Sequence, residues 1–161
     1  MYLEGRRIVS GTGHEAGREL LKQMYLRHVG GEMPQILTTP LGKPYFSHSP
    51  WHFSISHTQH YVFCALSKKP VGIDAEETDR NVRPGLAARI LSETERKQWE
   101  QAEDKRLALL TFWVLKEARG KLTGEGICYP PNQTRFLLTD PRVRGMMNCL
   151  VAVIEEEDHA V

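Results

Sequence analysis

The chain has 161 residues, of which 40% are hydrophobic and 25% charged, and its formal net charge is +1. This composition predicts a single globular domain over residues 1–161, and the small net charge argues against bulk electrostatic binding of nucleic acid. We find no secretory signal and no apolar run of membrane-spanning length, so we expect a cytoplasmic protein that does not bind membranes. Cys64 and Cys149 lie in apolar runs, which predicts reduced cysteines in the core.

A capping box predicts the first helix, because Thr12 is followed three residues later by Glu15 and apolar residues then recur at helical spacing. Two adjacent glycines, Gly30 and Gly31, end it. The alternating segment "WHFSISH", the apolar segment "YVFCALS" and the segment "VGIDAE" are predicted strands. Because the three strands are consecutive and closely linked, we expect them to form an antiparallel meander.

A second capping box, Ser92 with Glu95, predicts the helix "SETERKQWEQ". The longest predicted helix follows over residues 104–126, and it presents one apolar stripe formed by Leu107, Leu110, Val114, Ala118 and Leu122. The segments "TRFLLT" and "MNCLVAVIEE" are predicted late strands. The second of them is similar in character to "YVFCALS", which suggests a duplicated unit of helix plus sheet.

Two acids, Asp74 and Glu76, lie at the end of the strand "VGIDAE". Side chains i and i+2 of a strand lie on one face, about 6–7 Å apart, so Ile73 and Ala75 face the core and the acids point together the other way. Carboxylates held side by side repel each other unless they share a proton or a cation. The acids are therefore either ordinary surface groups or half of a site for a hard cation such as Mg²⁺.

The long predicted helix places Glu117 and Lys121 on one face, because four residues separate them, and Trp113 lies one turn earlier. One interpretation is an ordinary surface ion pair. The alternative is that Glu117 completes, with Asp74 and Glu76, an oxygen-ligand set for Mg²⁺, to which water and a substrate phosphate supply the remaining ligands.

Ser56 and His57 end a predicted strand beside a turn. His57 either bonds to nearby backbone or donates to a phosphate oxygen. The histidines at positions 48, 52, 57 and 60 raise the question of zinc, but they are spread over a loop and a strand, and the carboxylates elsewhere favour a harder metal.

The segments "GKPYF", "FSISHT", "VGIDAE" and "FWVLKEARGKLTGEGI" occur in this order, and together they resemble the motifs of the 4′-phosphopantetheinyl transferases. The resemblance runs from about Glu15 to Ile154 and is to the larger, surfactin-synthetase-activating type. It implies an α+β fold of two pseudo-duplicated units, each a helix with an antiparallel three-stranded sheet, with approximate halves at 1–76 and 77–154. It also implies a monomer.

The resemblance implies a role for each matching residue. Asp74, Glu76 and Glu117 are similar to the Mg²⁺ ligands. The remaining matches are similar to contacts for coenzyme A: Lys121 for its phosphates, Ser56 and His57 for the pyrophosphate, Lys43 and Pro44 for the adenine nucleotide, and Arg18 for the 3′-phosphate.

The implied reaction is a phosphoryl transfer in which a serine of an acyl or peptidyl carrier protein attacks the β-phosphate of coenzyme A. Mg²⁺ and Lys121 offset the charge on the phosphate oxygens, Asp74 holds the metal, and Glu117 or a metal-bound water takes the serine proton. Adenosine 3′,5′-bisphosphate leaves. Two alternatives stay open, which are a catalytically weakened carrier- or nucleotide-binding homologue and a Mg²⁺-dependent phosphohydrolase.

Larger members carry a longer N-terminal lobe with basic residues that contact the nucleotide, whereas eleven residues precede Thr12 here. Arg6 and Arg7 are candidates to replace those residues, although no motif assigns them this role. Carrier proteins of this class are usually acidic around the modified serine, which implies a basic docking surface with an apolar centre. Two segments fit this description. The first offers Arg80, Arg83 and Arg89 around Leu86, Ile90 and Leu91, and the second offers Ile127 and Tyr129.

Overall fold

The computed structural model describes residues 1–126 and 131–157. Its strands and α-helices, in chain order, are β1 (Tyr2–Arg7), α1 (Gly13–His28), β2 (Ile36–Thr38), β3 (Pro44–Phe46), β4 (His52–His57), β5 (Tyr61–Ser67), β6 (Val71–Glu77), α2 (Leu86–Ile90), α3 (Glu93–Gln101), α4 (Lys105–Thr123), β7 (Val143–Met146) and β8 (Cys149–Glu155). None of these helices is long and apolar enough to cross a membrane.

The strands form two antiparallel three-stranded sheets, ordered β1-β5-β4 and β6-β8-β7, and a separate β2-β3 hairpin. Helix α1 packs on the first sheet and α4 packs on the second. This arrangement confirms the predicted α+β fold of two units, each a helix with an antiparallel three-stranded sheet.

The two sheets pack against each other between the helices. Their central strands, β5 and β8, are therefore buried on both faces. On β5, Val62 and Cys64 contact α1, whereas Phe63 and Ala65 contact the other sheet. On β8 the same alternation turns Ala152 and Ile154 toward α4 and turns Val151 and Val153 toward the first sheet. Cys64 and Cys149 are buried and free, as predicted, and Cys128 lies outside the described residues.

The predicted meander is wrong in its third strand. β4 and β5 pair as expected, but β6 pairs with β8, from Val71 opposite Glu155 to Glu77 opposite Cys149. β6 packs closely under α4, because Gly72 has no side chain where the strand meets the helix backbone at Ala118 and Leu122. With β6 in the second sheet, the two units meet near Pro70 rather than after Glu76.

The segment "TRFLLT" is not a strand, which corrects a second prediction. After a 3-10 turn at Pro131–Gln133, its backbone is held by side chains of α3, since the Phe136 amide donates to Glu95 Oε1 (3.0 Å) and the Leu138 amide donates to Gln98 Oε1 (2.9 Å). These bonds replace the sheet partner that a strand needs. β7, which follows, forms the hairpin with β8.

A buried ion pair that the sequence analysis missed fixes α4 against α3. Lys116 Nζ donates to Glu95 Oε2 at 2.6 Å, and both side chains are buried. Glu95 also accepts a hydrogen bond from Thr134 Oγ1 at 2.8 Å. Burial lowers the pKa of Lys116, and Glu95 opposes that shift. A lysine and a glutamate on two different helices share no periodic pattern, so their pairing has no signal in the sequence.

Helix α4 itself closely matches its predicted span. Asp104 caps its first turn by accepting a hydrogen bond from the Leu107 amide, and Gly124 ends it in a left-handed conformation with φ of 80°. The predicted stripe is buried at Leu110, Val114 and Ala118, and it is half-buried at its two ends. The helix therefore presents its polar residues 117 and 121 to β6 from a rigid position.

We predict that Gly72→Ala destabilises the fold, because the added methyl group would overlap backbone atoms of Ala118 and Leu122. Overpacking of this kind costs about 1–3 kcal/mol in the free energy of unfolding, which urea denaturation measures. Gly145→Ala in β7 is the matched control, since no atom lies within 4 Å of the methyl group there. Equal stability of the two variants would show that the β6–α4 contact is loose.

Candidate active site

The face of β6 that carries Asp74 and Glu76 is covered by α4, which brings Glu117 and Lys121 beside the two acids. Asp74 and Glu76 lie on one face, as predicted, opposite to the buried Ile73 and Ala75. That face is enclosed rather than solvated, and Asp74 is only 6% exposed.

Asp74 is held at one oxygen and left without a donor at the other. Its Oδ1 accepts hydrogen bonds from Lys121 Nζ at 2.8 Å and from Ser56 Oγ at 3.1 Å. Its Oδ2 is buried, and no described residue donates to it. Burial raises the pKa of Asp74, the charge of Glu76 raises it further, and Lys121 and Ser56 oppose the shift. A buried carboxylate oxygen without a donor calls for a partner that the described residues do not supply, such as a proton, a water molecule or a cation.

Glu76 is held by two donors at its Oε1. Trp113 Nε1 donates to this oxygen at 3.1 Å, and the guanidinium of Arg80 bonds to it as well. The Trp113 contact joins Glu76 directly to α4. Arg80 follows β6 in a turn, and the sequence analysis did not predict its contact with Glu76.

Glu117 interacts electrostatically with Asp74 and Glu76 of β6. Burial raises its pKa to about 7, the charges of Asp74 and Glu76 contribute to the rise, and Lys121 opposes it. Among the described residues, however, no three His, Cys, Asp or Glu side chains are gathered closely enough to hold a metal ion. The carboxylates adjoin one another, but Asp74 and Glu76 are each directed to a basic side chain. The histidines considered for zinc form no such group either.

Two serines of β4 connect the first unit to this site. The amide of Ile73 donates to Ser54 Oγ and the amide of Ala75 donates to Ser56 Oγ, both at 3.1 Å. Ser56 is only 4% exposed, and its hydroxyl contacts β6 rather than open space. Its position supports a role in holding Asp74. Ser54, which the sequence analysis did not single out, lines the adjoining cleft.

A cleft of about 340 Å³ runs between the two units, next to Lys121. Except for Ser56, the residues predicted to contact coenzyme A all lie in its wall. They are Arg18, Lys43, Pro44, His57 and Lys121. They come from α1, the β2–β3 hairpin, the end of β4 and α4. The exception is Ser56, which lies behind the wall.

His57 lies at the mouth of the cleft, beside the first turn of α1. A side chain at position 13 would overlap the imidazole ring, so Gly13 is what allows the ring to lie there. His14 and Arg18 of α1 line the same wall, and the Arg18 guanidinium lies 5.9 Å from the centre of the Phe53 ring. Nitrogen donors beside a helix N-terminus suit an anionic group.

Lys43 joins the β2–β3 hairpin to the end of α4. Its amide donates to Thr39 Oγ1 at 3.0 Å, and its ammonium donates to the Leu122 carbonyl oxygen. Burial lowers the pKa of Lys43. The lysine therefore closes one side of the cleft, with its ammonium on the C-terminal end of α4.

A second cavity, of about 700 Å³, is lined by Arg80 and Trp113, the two side chains that bond to Glu76. Its wall contains the three arginines predicted to form a docking surface, together with apolar side chains; the set includes Arg80, Arg83, Arg89, Val82, Leu86, Ile90, Leu110 and Trp113. Leu91, which was predicted to belong to that surface, is a core residue, 2% exposed. Ile127 and Tyr129 lie outside the described residues.

Arg6, a candidate for contact with the nucleotide, is bound to α1. It donates to Gln23 Oε1 at 3.0 Å and to the Ala16 carbonyl oxygen at 3.1 Å. Arg7 is exposed at the end of β1. Neither residue lines the cleft.

Comparison with known proteins gives one consistent result. Residues 70–150 match the sequence profile of the 4′-phosphopantetheinyl transferase superfamily, and this region contains Asp74, Glu76, Glu117 and Lys121. The chain is 36% identical over 125 residues to the 4′-phosphopantetheinyl transferase psf-1 of Bacillus pumilus, and the aligned region covers 71% of this chain and 53% of that protein. It is 30% identical over 126 residues to the 4′-phosphopantetheinyl transferase Sfp of Bacillus subtilis strain 168, and the aligned region covers 72% of this chain and 56% of that protein. The chain spans about half the length of the curated relatives it matches.

We predict that Glu117 makes the stability of the metal-free protein fall as the pH rises. A carboxyl whose pKa is raised on folding, here from 4.5 to about 7, favours the folded state while protonated, and this contribution is lost as the pH rises through about 7. The measurement is the Tm of the Glu117→Gln variant minus the Tm of the unmodified chain, both in a chelating buffer. This difference should increase between pH 5 and pH 8, a range set by the two pKa values of 4.5 and about 7.

Glu93→Gln is the control for that titration, because Glu93 is an exposed acid of α3 that pairs with Lys97 at the surface. Its Tm difference from the unmodified chain gives the effect of removing a surface carboxylate, with which the Glu117→Gln profile is compared. A flat profile for Glu117→Gln would show that Glu117 is solvated like Glu93.

Proposed function

This chain belongs to the 4′-phosphopantetheinyl transferase superfamily, and on that premise we propose that it transfers the 4′-phosphopantetheine arm of coenzyme A to a serine of a carrier protein. The observation that supports this most is the cleft between the two units. It gathers Arg18, Lys43, His57 and Lys121 next to the buried carboxylate of Asp74. That the protein is a cytoplasmic monomer stays a prediction.

The carboxylates suit a hard divalent cation, because carboxylate oxygens are the ligands that Mg²⁺ prefers and Asp74 Oδ2 is buried without a donor. We propose that Asp74, Glu76 and Glu117 hold Mg²⁺ after a change of side-chain conformation, because in the present conformation no three such side chains among the described residues are gathered closely enough to hold a metal ion. When bound, the ion supplies positive charge that stabilises the phosphate oxygens during transfer. Burial raises the pKa of Asp74 and of Glu117, and repulsion from neighbouring carboxylates raises it further; this repulsion favours binding of such a charge.

The chain's own residues orient coenzyme A in the proposed complex. Arg18 and His57, at the mouth of the cleft, bind phosphate groups, and the β2–β3 hairpin around Lys43 and Pro44 covers the nucleotide. Lys121 lies at the inner end of the cleft on Asp74, so its ammonium is placed to bind a phosphate oxygen near the carboxylates. Glu117 lies beside the other two carboxylates, and we assign it to take the proton of the attacking serine hydroxyl.

The carrier protein approaches, in this proposal, from the second cavity. This cavity is lined by Arg80, Arg83 and Arg89 around apolar side chains, and two of its lining residues, Arg80 and Trp113, bond to Glu76. Basic groups around an apolar centre complement an acidic carrier surface and steer its encounter. The donor then occupies the cleft lined by Lys121, and the acceptor occupies the cavity lined by Arg80 and Trp113.

We predict that the chain, incubated with coenzyme A, Mg²⁺ and a panel of apo carrier proteins, adds one phosphopantetheine to a carrier, as measured by intact mass. Asp74→Ala should abolish transfer, because it removes a proposed ligand. Lys121→Ala should weaken both the rate and the binding of coenzyme A measured by calorimetry. Release of free phosphopantetheine without a modified carrier would instead support the phosphohydrolase, and binding of coenzyme A without turnover would support the weakened homologue.

We predict that reversing Arg83 and Arg89 to Glu raises the KM for the carrier and leaves the KM for coenzyme A unchanged, because both arginines line the second cavity and neither lines the cleft. Transfer at low carrier concentration should also weaken as added salt shortens the Debye length from about 10 Å toward 3 Å. Reversal of Arg135 and Arg144 is the matched control, since both are exposed and line neither cavity. An equal change in both KM values would place the carrier elsewhere.

A further inference from the structure

Two acids of β6 are each paired with a Lys or Arg side chain of the same protein, Asp74 with Lys121 and Glu76 with Arg80. Lys121 has a place in the proposed transfer, whereas the contact of Arg80 with Glu76 has none. We propose that Arg80 is an exchangeable counter-cation for Glu76, which competes with the divalent cation for this carboxylate. The inference rests on the proposed function, because it takes Glu76 to be a ligand of that cation.

The contacts of Glu76 support competition. Its Oε1 accepts from both Trp113 Nε1 and the Arg80 guanidinium, so this oxygen has two donors. A carboxylate has about four acceptor positions in all, and a guanidinium next to it also repels an approaching cation. Trp113 carries no charge and can hold Glu76 in either state, whereas the positive charge of Arg80 opposes a cation at the same carboxylate.

Solvent exposure shows which partner can leave. The side chain of Glu76 is 15% exposed and that of Arg80 is 50% exposed. The other pair has the same asymmetry, with the side chain of Asp74 9% exposed and that of Lys121 33% exposed. In both pairs the acid is enclosed and the base reaches water, so hydration compensates the base when it is displaced.

The backbone that carries Arg80 is anchored, so exchange needs only a movement of its side chain. Its amide donates to the Glu77 carbonyl oxygen at 3.0 Å, which closes the turn after β6. The Thr78 amide donates to the Asn148 carbonyl oxygen at 2.9 Å, and Arg106 of α4 donates to the Thr78 carbonyl oxygen. The guanidinium is thus held near Glu76 at a high local concentration.

The second cavity gives the displaced guanidinium a place to go, because Arg80 lines it beside Arg83 and Arg89. An acidic acceptor bound there attracts Arg80 away from Glu76. By thermodynamic linkage, acceptor binding and cation binding then favour each other.

The test is the affinity of the full chain for Mg²⁺, measured by titration calorimetry without coenzyme A or carrier. We expect Arg80→Gln to bind Mg²⁺ about two- to fivefold more tightly than the unmodified chain, as loss of a competing, half-exposed ion pair allows. Arg80→Lys, which keeps the charge, should bind close to the unmodified affinity. Circular dichroism of each variant verifies that it is folded.

Arg27→Gln is the matched control. Arg27 pairs with Glu4 on the first unit, and its side chain is 55% exposed, so this variant loses the same charge and the same kind of ion pair away from the site. Its Mg²⁺ affinity should equal that of the unmodified chain. Arg83→Gln removes a charge from the same cavity, and a gain as large as that of Arg80→Gln would overturn the inference, because it would reflect the general field alone.

The remaining outcomes separate this inference from the proposed function. Equal Mg²⁺ binding by the unmodified chain and Arg80→Gln, with binding lost in Asp74→Asn, would overturn the role of Arg80 and leave the cation site standing. Absence of Mg²⁺ binding in both the unmodified chain and Arg80→Gln would overturn both. Binding seen only in Arg80→Gln would support the inference in its strongest form.

Discussion

The close contact of β6 with α4 is the constraint on which the site depends. Gly72 lets the strand approach the helix backbone at Ala118 and Leu122, and this approach turns the polar face of β6 toward Glu117 and Lys121. With a larger residue at position 72 the helix would have to move outward, and the acids would be solvated. The chemistry of the site therefore begins with the absence of one side chain.

Enclosing three acids has an electrostatic cost, and the protein offsets it with its own basic groups. Burial and mutual repulsion raise the pKa of Asp74 and of Glu117. Lys121 compensates Asp74 and Arg80 compensates Glu76. Because both basic side chains reach solvent, this compensation is reversible, unlike that of the fully buried pair Lys116 and Glu95, which holds helices together. The same kind of ion pair thus supports the fold in one place and remains exchangeable in another.

Much of the fold followed from local patterns. The capping boxes at Thr12 and Ser92 begin helices where predicted, and the strands 51–57 and 61–67 pair with each other. The failures are strands whose partners are distant. β6, which ends at Glu77, pairs with β8, which begins only at Cys149. The backbone of "TRFLLT" bonds to side chains of α3 in place of a sheet partner. Neither outcome can be inferred from alternation along one segment.

By itself, the sequence determined which residues share a face. Strand periodicity places Asp74 with Glu76, and helical periodicity places Glu117 with Lys121, because these relations depend only on backbone geometry within one element. The tertiary structure alone decided what each group contacts. It buried Asp74 and Ser56, placed Arg80 on Glu76, and formed one cavity lined by Lys121 and another lined by Arg80 and Trp113. Those contacts join residues from separate elements, and their energies depend on burial and distance, which no spacing along the chain encodes.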